Sequence, residues 1–151
     1  MLSFIRRIFL AIFSPALFAK IKIAIAAVNV VKDALASNKL DDLVNATKTP
    51  VDNDILFWAR RVLQYLYDWR RLDQVYEMDM PKDSRNELAL LSNGFKVSSP
   101  PVKNAIYLRL AVQALQDMTL DPADKSVTLP EDRAIIFVQT VYSQQKQKNE
   151  K

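Results

Sequence analysis

The chain has no cysteine and no histidine, and it has a single glycine among its 151 residues. The missing cysteine excludes disulfides, thiolate nucleophiles and cysteine-bound zinc. The missing histidine removes the commonest general base and the commonest imidazole metal ligand. One glycine is far below the usual share of about 7%. Because tight hairpin turns and phosphate-binding loops need glycine, this scarcity argues against strand-rich and nucleotide-binding folds.

The residues that are present favour helices that are separated by proline. Half of the chain is hydrophobic, and good helix formers are plentiful. Ser14-Pro15, Thr49-Pro50 and Ser99-Pro100 each place a capping hydroxyl before a proline, and Thr128-Leu129-Pro130-Glu131 has the form of a capping box. The sequence therefore predicts an all-α protein, with helices near residues 2–13, 15–37, 50–77, 81–92, 100–118 and 130–146.

These helices group into a helical bundle of about four helices and a two-helix N-terminal arm. We expect residues 1–37 to form the apolar, basic arm, residues 38–146 the helical body and residues 147–151 a frayed polar tail. The arm contains five basic residues and one acidic residue, which gives it a net charge of +4, the net charge of the whole chain. A basic, apolar arm suits an anionic membrane surface, whereas a nucleic-acid-binding protein would carry its basic residues on the folded body.

The arm supplies the predicted contacts with a membrane or with a partner protein. Its phenylalanines would insert into an apolar environment, and its basic side chains would meet lipid headgroups. These residues are Phe4, Arg6, Arg7, Phe9, Phe13, Phe18, Lys20 and Lys22. A single bilayer span is disfavoured because Lys20 and Lys22 lie near the middle of the apolar stretch 8–31. If the arm is separate, the body should fold without residues 1–36.

Two other interpretations of the arm remain open. In the first, the arm packs on the body or inserts into a neighbouring protein chain. In the second, it is a secretory signal peptide, with Arg6-Arg7 ahead of the apolar residues 8–19 and cleavage after Ala16 or Ala19.

The helix predicted near 50–77 carries a heptad-like apolar seam. Its members alternate spacings of three and four residues: Ile55, Trp58, Val62, Tyr65, Trp69, Leu72 and Tyr76. Leu56, Ala59, Leu63 and Leu66 widen the seam, which indicates a core helix of a bundle. The helix near 100–118 is apolar on most sides, as expected of a central helix or a subunit contact. The chain is therefore expected to form a homo- or hetero-oligomer, with this seam as an assembly surface.

Paired arginines on the same helix offer a nucleic-acid alternative. Arg60-Arg61 and Arg70-Arg71 lie near aromatic residues, a combination that grips phosphates and bases. Five acidic residues on the helix favour a solvated, salt-bridged face instead: Asp52, Asp54, Asp68, Asp73 and Glu77. Nucleic acid is therefore not the expected partner, although a packaging or scaffold role would use these arginines.

No catalytic site is predicted. The candidate carboxylate pairs are Asp41-Asp42, Asp52 with Asp54, and Asp121 with Asp124. The first two pairs lie near helix starts, where acidic residues complement the helix dipole, and the third has the sequence of an ordinary turn. Nothing assembles into a nucleophile, a base and an oxyanion site. We expect no enzyme activity, no cofactor and no metal.

One short stretch carries a family resemblance. Lys48-Thr49-Pro50-Val51-Asp52-Asn53-Asp54-Ile55 follows an apolar N-terminal segment and a polar turn. It resembles the K-T-x-x-D-(D/N)-x-(I/L) stretch that follows the membrane segment of some small phage holin-like proteins. The chain departs from that pattern in Lys20 and Lys22 and in its longer body. The resemblance implies a phage or viral origin and membrane contact, as a minor virion protein or a lysis-related one.

Overall fold

The computed structural model describes residues 14–37, 53–70 and 95–150. These ranges contain four long helices and no strand: α1 (Pro15–Ser37), α2 (Asn53–Arg70), α3 (Pro100–Met118) and α4 (Glu131–Asn149). Residues 95–97 are helical as well. The predicted all-α fold is confirmed. The helices predicted near 2–13 and 81–92 lie outside the described residues.

α1 and α3 begin at prolines and α4 begins directly after one, but among these three starts only α1 has its predicted cap formed by a hydroxyl. The cap predicted at Thr49-Pro50 lies outside the described residues. The backbone N–H of Leu17 donates to Ser14 Oγ at 3.2 Å, so Ser14 caps α1 as predicted. Ser99 precedes α3 without a side-chain capping bond. The capping box predicted at 128–131 is wrong, because Pro130 occupies the cap position and makes no capping bond. Thr128, two residues earlier, donates its hydroxyl to the Thr119 carbonyl and closes the α3–α4 loop instead.

The four helices form a bundle around the pair α1 and α3. Each of these two contacts all three other helices, while α2 and α4 each pack on both of them. Ala24 and Ala27 of α1 are fully buried, and their small side chains allow a close approach of the neighbouring helices. The largest fully buried side chains are Ile21, Val31, Val62, Leu63, Leu66, Leu110, Val112, Leu115 and Val141.

The position of α1 differs from the predicted division of the chain at residue 37. Its apolar stripe recurs at spacings of three and four residues through Ile21, Ala24, Val28, Val31 and Leu35, and every member is buried in the common core. The apolar surface that predicted an arm is therefore satisfied by protein from Ile21 onward. Residues 21–37 belong to the body, and only residues 14–20 of the described arm precede the core.

The C-terminal end is also more regular than expected. The predicted polar tail begins at residue 147, but α4 continues to Asn149. Lys146 and Glu150 form an ion pair at 3.9 Å along this last turn. A basic residue in the last turn of a helix also interacts favourably with the helix dipole, so the helix has local reasons to extend.

Candidate functional site

The first turns of α1 form the junction between the predicted anchoring residues and the core. Ala16 and Ala19 are exposed, and Leu17 and Phe18 are half-buried against the core. The Lys22 ammonium lies 4.9 Å from the centroid of the Phe18 ring, which is a cation–π contact. The junction therefore presents a partly covered phenylalanine and a cation at the end of the bundle where residue 14 enters.

Three of the eight predicted anchoring residues fall within the described part of the chain. Phe18 is half-buried, Lys20 is half-buried and Lys22 is exposed. The structure thus brings Phe18 and Lys22 together at the junction. The other five anchoring residues, Phe4, Arg6, Arg7, Phe9 and Phe13, lie outside the described residues.

The heptad-like seam of α2 faces the interior of its own chain. Val62 is fully buried, Ile55 is half-buried, and Trp58 and Tyr65 pack against the core from its edge. The centre of the buried face is formed by the flanking residues Leu56, Ala59, Leu63 and Leu66. The Trp69 side chain, Leu72 and Tyr76 lie outside the described residues. The described part of the seam therefore packs within one chain.

Arg61 is the centre of a polar cluster between α2 and α3. Its Nε lies 3.5 Å from Asp117 Oδ2 and donates to the Tyr65 hydroxyl at 3.4 Å, and its Nη1 donates to Gln64 Oε1 at 3.3 Å. The guanidinium also lies 5.5 Å from the centroid of the Tyr65 ring. Arg61 is thus occupied by contacts within the chain.

The two carboxylates near Arg61 are harder to ionise than usual. Burial raises the pKa of Asp117, and the nearby Arg61 charge offsets only part of this effect. Burial also raises the pKa of Asp68, again against the opposing charge of Arg61. Within the described ranges, Asp68 Oδ1 is buried without a hydrogen-bond partner. The Arg61–Asp117 ion pair is the contact of this cluster that links α2 to α3.

The paired arginines do not form a phosphate-binding stripe in the described residues. Arg60 is exposed, but Arg61 is engaged with Asp117 and its neighbours on α2. The side chain of Arg70 and the whole of Arg71 lie outside the described residues. A helix surface that commits one of two adjacent guanidiniums to a carboxylate has less positive charge to offer to nucleic acid.

A basic cleft that the sequence did not predict runs between α1, α3 and α4. It consists of two adjoining cavities, each of about 300 Å³, which share Lys32, Asn104 and Tyr107. Phe95 stacks on Tyr107 with 6.0 Å between ring centroids, and the Lys32 ammonium lies 5.5 Å from the Tyr107 centroid. Burial raises the pKa of Tyr107, and the negative charge of Asp33 adds to that rise. Because these residues are far apart in the sequence, no local sequence pattern predicts the cleft.

The acidic residues of the α3–α4 loop serve the turn itself, as the sequence predicted. Asp121 Oδ1 accepts a hydrogen bond from the Ala123 N–H at 2.7 Å, and Asp124 Oδ1 accepts one from the Ser126 N–H at 2.9 Å. The bonds to Ser126 lower the pKa of Asp124. Within the described ranges, no three acidic side chains are grouped closely enough to hold a metal ion.

No helix in residues 14–37, 53–70 or 95–150 combines the length and the apolar character that crossing a bilayer requires. Comparison of the chain with protein-family models, with curated proteins and with solved structures returns no match.

Proposed function

We propose that this is a non-enzymatic, membrane-associated binding protein whose N-terminal 22 residues attach a helical body to an anionic lipid surface. The body acts by binding and assembly with further protein chains. The resemblance of residues 48–55 to phage holin-like proteins is the ground for adding a phage or viral context, as a minor virion component or a lysis-related one.

The observation that carries this proposal is the point at which burial begins in α1. From Ile21 onward the apolar stripe is covered by protein, whereas Ala16 and Ala19 are exposed and Phe18 is only half-buried. Residues 1–13 contain three further phenylalanines and are joined to this end of the bundle by the chain itself. The anchoring region is therefore shorter than the predicted arm and ends where the core starts.

The positive charge near the N-terminus also supports attachment to an anionic lipid surface. The first acidic residue of the chain is Asp33, while Arg6, Arg7, Lys20 and Lys22 all precede it. A basic residue near an anionic bilayer contributes about 1 kcal/mol of binding free energy. Four such residues, combined with phenylalanines that bury apolar area in the interface, suffice for a stable peripheral attachment.

The test is flotation of the full-length protein with anionic liposomes at low and at high salt. We expect flotation that survives high salt, because insertion of the phenylalanines does not depend on charge. Substituting Phe4, Phe9 and Phe13 together by serine should abolish the salt-resistant part. The matched control is Phe57→Ser, which removes a phenylalanine that is 48% exposed on α2 and should leave flotation unchanged.

The arginines are tested separately. Arg6→Gln combined with Arg7→Gln should weaken binding to anionic vesicles about 30-fold, the equivalent of about 2 kcal/mol, and should leave binding to neutral vesicles unchanged. Arg60→Gln changes an exposed arginine on α2 and should have no such effect. Absence of flotation by the full-length protein would overturn the proposal, and a subunit whose N-terminus inserts into a neighbouring protein would replace it. Salt-sensitive binding to nucleic acid without flotation would favour a packaging or scaffold protein.

A further inference from the structure

The basic cleft has the construction of a ligand site, with an apolar floor and a polar rim. Its floor is formed by side chains from three helices: Ile25, Val28, Leu108, Ala111 and Val138. Polar side chains surround this floor, among them Asn29, Asn104 and Gln139. A volume of about 300 Å³ lies at the lower end of small-molecule sites, which range over about 300–1,000 Å³. The floor and the rim together suit a small ligand with one apolar and one polar end.

The charge of the lining specifies the polar end. Four lysines line the two cavities, Lys32, Lys96, Lys103 and Lys146, and neither cavity has an acidic residue among its described lining residues. Lys103 donates to the backbone carbonyl of Lys96 at 3.2 Å, and Lys32 is held over the Tyr107 ring. Lys146 is the exception, because it pairs with Glu150 at 3.9 Å. Two ammonium groups are therefore held by neutral partners: that of Lys32, which lines both cavities, and that of Lys103, which lines the second cavity only.

We propose that the basic cleft binds a single-chain anionic amphiphile, whose carboxylate or phosphate head lies between Lys32 and Lys103 and whose apolar chain lies along the floor. This site is distinct from the N-terminal lipid attachment and does not depend on it. The α1–α3 pair provides most of its wall, so the ligand would also brace the two helices that contact all others.

The aromatic pair at the mouth favours an amphiphile over a nucleotide. A nucleobase binds such sites by stacking on a free aromatic face. The Tyr107 ring already stacks on Phe95 and already carries the Lys32 ammonium above it. The aromatic contacts are thus used to position a cation, and the apolar side chains of the floor line the adjoining cavity.

The experiment is a titration of the full-length protein with monomeric decanoate and decyl phosphate, followed by calorimetry and by methyl NMR. We expect both anions to bind and to shift the methyl signals of Ile25, Val28 and Val138. Lys32→Gln should weaken binding about 3-fold to 10-fold, as expected for one partly exposed ion pair. Lys125→Gln, which makes the same charge change in the exposed α3–α4 loop, should not alter the affinity. Asn104→Trp, at an exposed position shared by both cavities, should block binding while circular dichroism shows an intact fold.

Three probes distinguish this site from weaker explanations. Decyl maltoside, which is neutral, should bind at least 10-fold more weakly than decanoate; equal affinity, with no effect of Lys32→Gln, would overturn the proposal. Inorganic phosphate should not shift the floor methyl groups, and binding equal to that of decyl phosphate would overturn it too. The variant with serine at positions 4, 9 and 13 should bind decanoate normally. Loss of decanoate binding in that variant would show that the N-terminal segment holds the ligand, against the proposal.

Discussion

Deletion of residues 1–36 tests whether α1 belongs to the core. The deletion removes nearly all of α1, including five large aliphatic side chains that are at most 6% exposed: Ile21, Ile25, Val28, Val31 and Leu35. Burial of such a side chain contributes about 1.5–3 kcal/mol. The five together contribute about 8–15 kcal/mol, which matches the whole net stability of a typical domain, about 5–15 kcal/mol. The truncated chain is therefore expected not to fold.

The assay compares two truncations by far-UV circular dichroism and urea unfolding. The chain without residues 1–36 should show low helicity and no cooperative transition, because α2, α3 and α4 lose the helix on which they pack. The chain without residues 1–13 keeps Ser14 and α1. Because the deleted segment is proposed to contact lipid, we expect the helical body of this chain to remain folded. A cooperative transition at the full-length midpoint after removal of 1–36 would refute the assignment of α1 to the core and would restore a separate arm.

Two further substitutions probe the body. Asp68→Asn should stabilise the protein by at most about 1 kcal/mol at neutral pH, because it removes the charge of a partly exposed carboxyl group whose Oδ1 is buried without a partner in the described ranges. Since burial raises the pKa of Asp68 above 3.8, the contribution of this group to stability is greatest below that value and falls as pH rises through the folded-state pKa, so the gain should vanish in acid. A gain that is constant with pH in urea titrations would contradict this cause. Leu63→Ala, at a side chain 1% exposed, should lower the free energy of unfolding by about 2–5 kcal/mol. Phe57→Ala, at a side chain 48% exposed, should lower the urea midpoint far less. Equal losses would contradict the assignment of Leu63 to the buried face of α2 and Phe57 to the exposed face.

Helix periodicity and proline positions were sufficient to predict the described helices. The predicted ranges 15–37 and 100–118 coincide with α1 and α3, because Ser-Pro pairs at 14–15 and 99–100 mark starts that few alternative structures share. The start of α4 was predicted to within one residue, but its capping box was wrong, since a sequence pattern cannot show that the Thr128 hydroxyl donates to the Thr119 carbonyl instead. The basic cleft was missed for a related reason. The sequence gives no reason to group Lys32, Lys103 and Lys146, because they line one cleft only after three helices have packed together.

The misplaced boundary of the arm has a physical origin. An apolar helix face is stabilised equally by lipid and by protein, so hydrophobicity alone cannot say which of them covers it. The size and shape of the apolar side chains are more informative about what covers them. Phe4, Phe9, Phe13 and Phe18 give one aromatic residue per four or five positions, and no aromatic residue follows from Lys20 to Ser37.

The apolar residues from Lys20 to Ser37 are mostly small or β-branched, and they include the fully buried Ala24 and Ala27. Close helix contacts require small side chains, because a protein neighbour has a fixed shape that must be matched, whereas fluid lipid adapts to any side chain. The last phenylalanine of this region, Phe18, lies three residues before Ile21, where burial begins. The composition of this apolar segment, rather than its hydropathy, therefore marks where α1 begins to pack in the core.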